Sequence, residues 1–248
     1  MITVARTVQA VVLDIEGTTG SLSHVHDVLF PYARTRLAAW LTEHQHTVAG
    51  GELLAAVRDH AADRELSLEA ATELLAGWSD RDVKAAPLKT LQALIWAEGY
   101  RTGELAGHVY PDVPVALAHW KAAGIARHIY SSGAVAAQRD WFGHTAFGDL
   151  TPLLSGYFDL TTAGGKRDAA SYASIAAAIG SDPAGILFAS DVTEELDAAA
   201  QAGWQTVTVR RADDPRGCAV TGHACITSLD ELDLTERPAP AATRNGAP

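Results

Sequence analysis

Five runs of nearly continuous apolar and β-branched residues stand out along the chain, at 8–13, 126–130, 158–161, 185–189 and 205–209. Unbroken apolarity over so few residues, without polar alternation, predicts strands with both sheet faces covered. The stretches between the later runs change to helical periodicity, which predicts helices over 114–123, 134–142, 169–179 and 194–202. Strands that alternate with helices in this way predict right-handed βαβ units and an α/β fold with a doubly wound parallel sheet.

One interval breaks the alternation. Residues 22–110 contain no convincing strand, but carry four helical patterns, at 28–43, 51–63, 67–80 and 90–99. The interval reads as a small helical cap domain inserted after the first strand. The expected organisation is an α/β core of residues 1–21 and 111–235, a helical cap of residues 22–110, and a disordered tail over 236–248. The tail is rich in Pro, Ala and polar residues that bury little surface.

A length of 248 residues accommodates a core with a smaller second domain. The net charge of -11 disfavours a nucleic-acid partner, and a phosphorylated substrate would need a divalent cation or well-placed Lys or Arg as local relief. The two cysteines, Cys218 and Cys225, match no common zinc spacing and are expected as reduced thiols. Low cysteine usage, no recognisable signal peptide and no apolar run long enough to span a bilayer predict a cytoplasmic protein without a membrane partner.

In an open parallel sheet, ligands gather outside the carboxyl ends of the strands. The first strand ends in Asp14-Ile15-Glu16-Gly17. A carboxylate nucleophile beside a second acid suits phosphoryl transfer, because the second group protonates the leaving oxygen and then deprotonates water. Acids that merely cap the next element are the other reading. The second strand ends in Ser131-Ser132-Gly133. Hydroxyls leading into a helix N-terminus make either a phosphate cradle or an ordinary N-cap. Lys166, on a glycine-rich turn, either neutralises a phosphoryl group or is solvated. Asp191, closing the fourth strand, is a plausible magnesium ligand, with Glu194 and Glu195 beside it as outer support or as helix N-terminal charge. Each segment is modest alone; their order along one sheet edge argues for a phosphoryl-transfer site.

With these residues in view, the sequence resembles the haloacid dehalogenase superfamily and, within it, the enolase-phosphatase family of methionine salvage. The segments that carry the resemblance begin with residues 14–19, Asp-Ile-Glu-Gly-Thr-Thr, and 28–33, Val-Leu-Phe-Pro-Tyr-Ala. They continue with 130–133, 142–145, 148–150, 157–159 and 190–193 with Glu195. Glu16, where the superfamily usually has Asp, is characteristic of the enolase-phosphatases. The resemblance implies Asp14 as nucleophile and magnesium ligand, and Glu16 as acid/base that lends its backbone carbonyl to the metal. It implies Ser131, Ser132 and Lys166 as phosphate-binding residues, Lys166 also as a catalytic residue, and Asp191 as a further ligand of one Mg2+ per subunit. The implied substrate is 2,3-diketo-5-methylthiopentyl-1-phosphate, enolised and dephosphorylated to 1,2-dihydroxy-3-keto-5-methylthiopentene. The enolisation base stays open among Glu16, cap residues and His144.

The chain departs from the family around residues 45–85, which are shorter and alanine-rich. Gln92, Trp96 and Tyr100 fall at helical spacing and read as core before substrate contacts. His24 and His26 have ligand-like spacing but lack the further ligands of a metallohydrolase. A generic sugar or nucleotide phosphatase or phosphomutase of the same superfamily is the main alternative. A dehalogenase has no use for Asp191, and a silent receiver domain none for Glu16 or the helical insertion. An active site enclosed between core and cap needs no second subunit, so a monomer is expected.

Overall fold

The structure, a computed structural model, describes residues 2–3, 7–212, 214 and 222–234. Its main sheet has six strands, all parallel. They are β2 (Ala10–Leu13), β3 (Ala126–Tyr130), β4 (Gly156–Phe158), β5 (Ile186–Ser190), β6 (Gln205–Val209) and β7 (Ala224–Ile226), in the order β4-β3-β2-β5-β6-β7. A two-stranded parallel pair joins β1 (Ile2–Thr3) to β8 (Leu232–Asp233). Helices α6 (Asp112–Ala122), α7 (Val135–Gly143), α8 (Ala169–Ile179) and α9 (Thr193–Gln201) alternate with the strands. The α/β doubly wound expectation holds.

The sheet has a separate apolar core on each face. Val11, Leu13, Ile129, Leu187 and Val207 pack on one side, with α6 and α7 supplying Leu117, Trp120 and Phe142. Val12, Tyr130, Ile186 and Phe188 pack on the other, against Tyr172, Ile175 and Leu196 of α8 and α9. Every residue of β2 is buried, as a central strand between two helical layers requires. The chain leaves β2, builds outward through β3 and β4, then returns to β5 on the other side of β2. The carboxyl end of β2 is therefore a topological switch point.

Between β2 and α6 the chain forms α1 (Leu22–His24), a π-helical turn at Val25–Leu29, and α2 (Phe30–His44), α3 (Val48–Ala61), α4 (Leu68–Asp80) and α5 (Ala86–Thr102). These helices have a core of their own, centred on Leu37, Leu41, Leu53, Val57, Leu75, Leu91 and Ile95. The boundaries follow local chemistry. Thr47 and Ser67 cap α3 and α4 by accepting from Gly50 N and Ala70 N, and Gly103 ends α5 in a left-handed conformation. Gln92 and Tyr100 are buried, in keeping with core positions. None of the described helices is long and apolar enough to cross a membrane.

Two expectations need correction, and one strand went unread. The strand placed at 158–161 lies at Gly156–Phe158. Asp159 accepts from Thr161 N at 3.0 Å and Thr162 N at 2.8 Å, and this side-chain turn outcompetes strand extension. The strand β7 carries too short an apolar run to stand out in the sequence. Cys225 is disulfide-bonded, not the reduced thiol expected, because sequence spacing does not reveal whether two sulfurs meet in the fold. The cytoplasmic expectation thereby loses its cysteine argument. Cys218 and residues 236–248 lie outside the described residues.

His128, on β3, is buried against the Phe158 ring, and a Cβ at Gly156 would come within 2.9 Å of its Nδ1. Burial, then the neighbouring Arg127 cation, pushes its imidazole down to about 4. The unfolded chain takes up this proton near pH 6.5, the native state only near 4, so stability falls as pH drops across that window. We expect His128 to contribute roughly 2 kcal/mol of this acid lability, discounted for residual solvent. Urea denaturation of wild type and His128→Leu at pH 7 and pH 4.5 measures it; equal losses in both would refute the assignment.

Candidate active site

The nucleophile candidate is delivered by the sheet ladder itself. Asp14 N donates to Ala189 O at 3.0 Å, which carries the β2–β5 pairing one residue past the strand and holds Asp14 buried at the switch point. The chain then turns at once. Ile15 O accepts from Thr18 N, Thr19 N and Gly20 N at 3.1, 3.0 and 2.7 Å, and Thr19 Oγ1 donates to Asp14 O at 2.8 Å. Gly17 makes this turn possible. It sits at φ +75°, and a Cβ there would lie 2.6 Å from Asp191 Oδ2. The same contact shows that Asp191, from the end of β5, presses its carboxylate against the turn that carries Glu16.

Lys166 arrives from the loop between β4 and α8. Its Nζ lies 2.6 Å from Asp14 Oδ1 and 2.7 Å from Glu195 Oε2, with all three side chains largely buried. Two tyrosines hold the loop in place: Tyr172 Oη donates to Lys166 O at 2.7 Å and Tyr130 Oη to Gly164 O at 2.8 Å. Ser190 Oγ donates to Glu195 Oε2 at 3.0 Å, so Glu195 is fixed from its own strand end.

The electrostatics follow from this crowding. Burial, then the Asp14 charge, raises Glu16 above the ordinary carboxylate range, with Lys166 and His26 opposing. Burial and then Asp14 push Glu195 up to about 7, although Lys166 pulls it down. Burial disfavours the Lys166 ammonium, but Asp14 and Glu195 outweigh it and raise its pKa. The two partners therefore pull in different directions. The direction we stand behind is a charged Lys166, since its Nζ touches two carboxylates and a neutral amine there would leave them repelling one another.

On the other side of β2, the register pairs Leu13 with Ile129, which brings the end of β3 beside Asp14. Ser131 is buried there and accepts from Gly133 N at 3.4 Å, whereas Ser132 is exposed. Asp159 and Gln138 shape this loop. Asp159 Oδ2 accepts from Val135 N at 3.0 Å, while Gln138 Nε2 donates to Gly133 O at 2.7 Å and Phe158 O at 2.8 Å. Burial pushes Asp159 up, but bonds from Thr162 N, Val135 N, Thr162 Oγ1 and Thr161 N outweigh it and hold the carboxyl below its usual range.

Asp14, Lys166 and Asp191 thus converge with the Glu16 turn, and Ser131 flanks them from the next strand. Glu194 lies in the first turn of α9, and the helix-terminus reading suits it. The sequence left Glu195 undecided and assigned no role to Asp159 or Gln138. An acid in the first helical turn after a strand-end Asp was the available signal for Glu195. His24 instead contacts Ala106 O at 3.1 Å and stacks edge-on to Trp141. Among the described residues, no three His, Cys, Asp or Glu side chains form a metal-ligating group. Asp14 and Asp191 are hard oxygen donors, and two carboxylates with a backbone carbonyl fit Mg2+, which keeps several waters and does not need a full protein cage.

A family model described as haloacid dehalogenase-like hydrolase matches residues 8–203. The chain belongs to that class of enzymes. Within it, the relatives are specific. A Pseudomonas aeruginosa (strain UCBPP-PA14) protein named enolase-phosphatase E1 is 48% identical over 226 residues, covering 91% of this chain and 98% of the relative. A Nocardia farcinica (strain IFM 10152) protein of the same name is 47% identical over 229 residues, covering 92% and 98%. Among solved structures, the UTR4 protein of Saccharomyces cerevisiae superimposes with a TM-score of 0.75 at 30% identity, covering 91% of this chain and 100% of that one. This likeness over nearly the whole length makes the chain a member of the enolase-phosphatase E1 family.

Asp159→Ala should cost about 1–3 kcal/mol, since it frees several buried donors at once. It should also weaken inhibition by inorganic phosphate several-fold by loosening the Ser131 loop. Thermal unfolding and phosphate inhibition constants measure both, and unchanged phosphate inhibition would exclude Asp159 from shaping that loop.

Proposed function

We infer that the protein is an enolase-phosphatase that converts 2,3-diketo-5-methylthiopentyl-1-phosphate and water to 1,2-dihydroxy-3-keto-5-methylthiopentene and phosphate. The observation that carries the chemistry is the contact of Lys166 Nζ with Asp14 Oδ1 at 2.6 Å. The substrate is carried by the kinship with enolase-phosphatases E1 over nine-tenths of the chain.

Lys166 engages one carboxylate oxygen of Asp14 and leaves Oδ2 as the attacking atom. Attack forms the Asp14 O–P bond and breaks the bond from phosphorus to the substrate's C1 oxygen. Glu16, whose burial beside Asp14 favours the protonated form, gives that oxygen its proton. The Glu16 carboxylate then takes a proton from water, whose oxygen attacks phosphorus, cleaves the aspartyl phosphate and restores Asp14. Ser131, Ser132 and Lys166 hold the phosphoryl oxygens, Lys166 by offsetting their charge. Asp14, Asp191 and the Glu16 carbonyl would hold one Mg2+, which supplies charge stabilisation at the phosphate and polarises a diketone oxygen.

We propose that the helical insert at residues 22–110 is a cap domain over this site, joined to a core of residues 1–21 and 111–235, and that the protein acts as a monomer. A cytoplasmic location is supported by the substrate's charge, since a phosphate ester does not cross a bilayer unaided. The net charge of -11 argues against a nucleic-acid partner.

The test is Mg2+-dependent phosphate release from the diketo phosphate, with ultraviolet detection of the enolised product. Both signals should appear, and EDTA should remove both. Cleavage of generic phosphomonoesters without cleavage of this one would keep the Asp14 chemistry and replace the substrate with that of a generic phosphatase. Asp14→Asn should lower kcat by at least about three orders of magnitude with the fold intact by circular dichroism; retained turnover would remove Asp14 as nucleophile.

A further inference from the structure

Two adjacent arginines follow β6, and both are buried: Arg210 is 6% and Arg211 is 5% exposed. Their partners lie outside the Asp14, Lys166 and Glu195 side-chain cluster, and the proposed reaction gives neither a role. Buried guanidinium groups are rare and costly, so their partners matter. Successive residues of an extended segment point to opposite sides, and these two diverge accordingly. Arg210 Nη1 donates to the backbone carbonyl of Asp191 itself. Arg211 Nε donates at 2.7 Å to the carbonyl of Thr18, inside the turn that follows Asp14 and Glu16.

Arg211 is itself held at several points. Its Nη1 lies 2.6 Å from Asp112 Oδ2, and its guanidinium carbon lies 4.3 Å from the centre of the Tyr110 ring. The same Asp112 oxygen accepts from Leu229 N at 2.6 Å and Ser228 Oγ at 3.1 Å. Tyr110 N donates to Thr19 O at 3.0 Å, so two consecutive carbonyls of the catalytic turn are gripped from one place. Arg210 is tied to the sheet by its own N–H, which donates to Ile226 O at 2.8 Å.

We propose that Arg210 and Arg211 are positioning residues for the divalent cation, setting the separation of the Asp14 turn and the Asp191 turn. The proposal rests on the magnesium-dependent reading above. Asp14 and Asp191 follow neighbouring strands, and past the Asp14 N–H the ladder no longer fixes how far apart their turns lie. One rigid dipeptide that grips both turns through main-chain carbonyls supplies that constraint. Mg2+ demands near-octahedral geometry at about 2.1 Å, so a small slip of either turn costs affinity. Lysine cannot replace either arginine, because a single ammonium lacks the planar fork that reaches two partners in fixed directions.

The experiment is calorimetric titration of Mg2+ into wild type, Arg210→Lys, Arg211→Lys and Arg211→Gln, alongside Leu75→Ala. Leu75 is fully buried in the insert's own core, so its truncation lowers stability without touching either turn. Each arginine variant should weaken the Mg2+ Kd by about tenfold or more, while Leu75→Ala binds Mg2+ as wild type does despite a lower Tm. If Arg211→Gln fails to fold, the two lysine variants keep the charge and decide the matter. Arginine variants with lower Tm but a Mg2+ Kd within twofold of wild type would reduce the pair to structural support and overturn the proposal. A wild-type protein that takes up no Mg2+ would overturn the magnesium reading itself, and this assignment with it.

Discussion

The site is organised around one buried ammonium. Asp14, Glu16, Asp191 and Glu195 crowd one end of the sheet, and unrelieved repulsion among them would oppose folding as well as catalysis. Lys166 bridges Asp14 and Glu195 at 2.6 and 2.7 Å and so relieves that pair. Its burial is tolerable only because both contacts are made, and the loop that delivers it is pinned by Tyr130 and Tyr172. The apolar layer on one sheet face, to which both tyrosines belong, therefore reaches directly into the chemistry.

The turn after Asp14 shows the same economy on a smaller scale. A single carbonyl, that of Ile15, accepts from three successive N–H groups, and Gly17 lets Asp191 approach where a side chain would collide. From there the chain passes into the helical insert through a π-helical turn, a rare geometry that often accompanies function. The entering and returning segments are stitched together: Ser21 N donates to His108 Nδ1 at 3.0 Å, and His24 contacts Ala106 O. Gly20 and Gly107 are forced by closeness, since a Cβ at either would strike Trp141. The insert thus has its own core and a closely packed attachment.

Much of the loop after β3 and of the turn after Asp14 is held through backbone groups. Asp159 and Gln138 order the loop after β3, and Arg210 and Arg211 grip the carbonyls of Asp191 and Thr18. Main-chain anchoring of this kind fixes position without occupying the side chains of Asp14, Glu16 and Asp191.

What the sequence determined by itself was whatever depends on local pattern. Unbroken apolar runs marked the buried strands, a long interval of helical periodicity marked the insert, and acids, serines and a lysine after those runs marked the carboxyl edge of the sheet. Glu16 in place of Asp narrowed the family, and that reading agrees with relatives about 47–48% identical. Where a side chain competes locally with the backbone, as Asp159 does, the strand boundary slipped. Only the tertiary structure decided which polar residues meet. Lys166 and Asp14 are 152 positions apart, and Arg211 and Thr18 are 193 apart. A lysine on a turn or an arginine after a strand looks the same in sequence whether it is solvated or buried. The difference is made by strand order, which carries distant segments to one edge and excludes the water that would otherwise satisfy them.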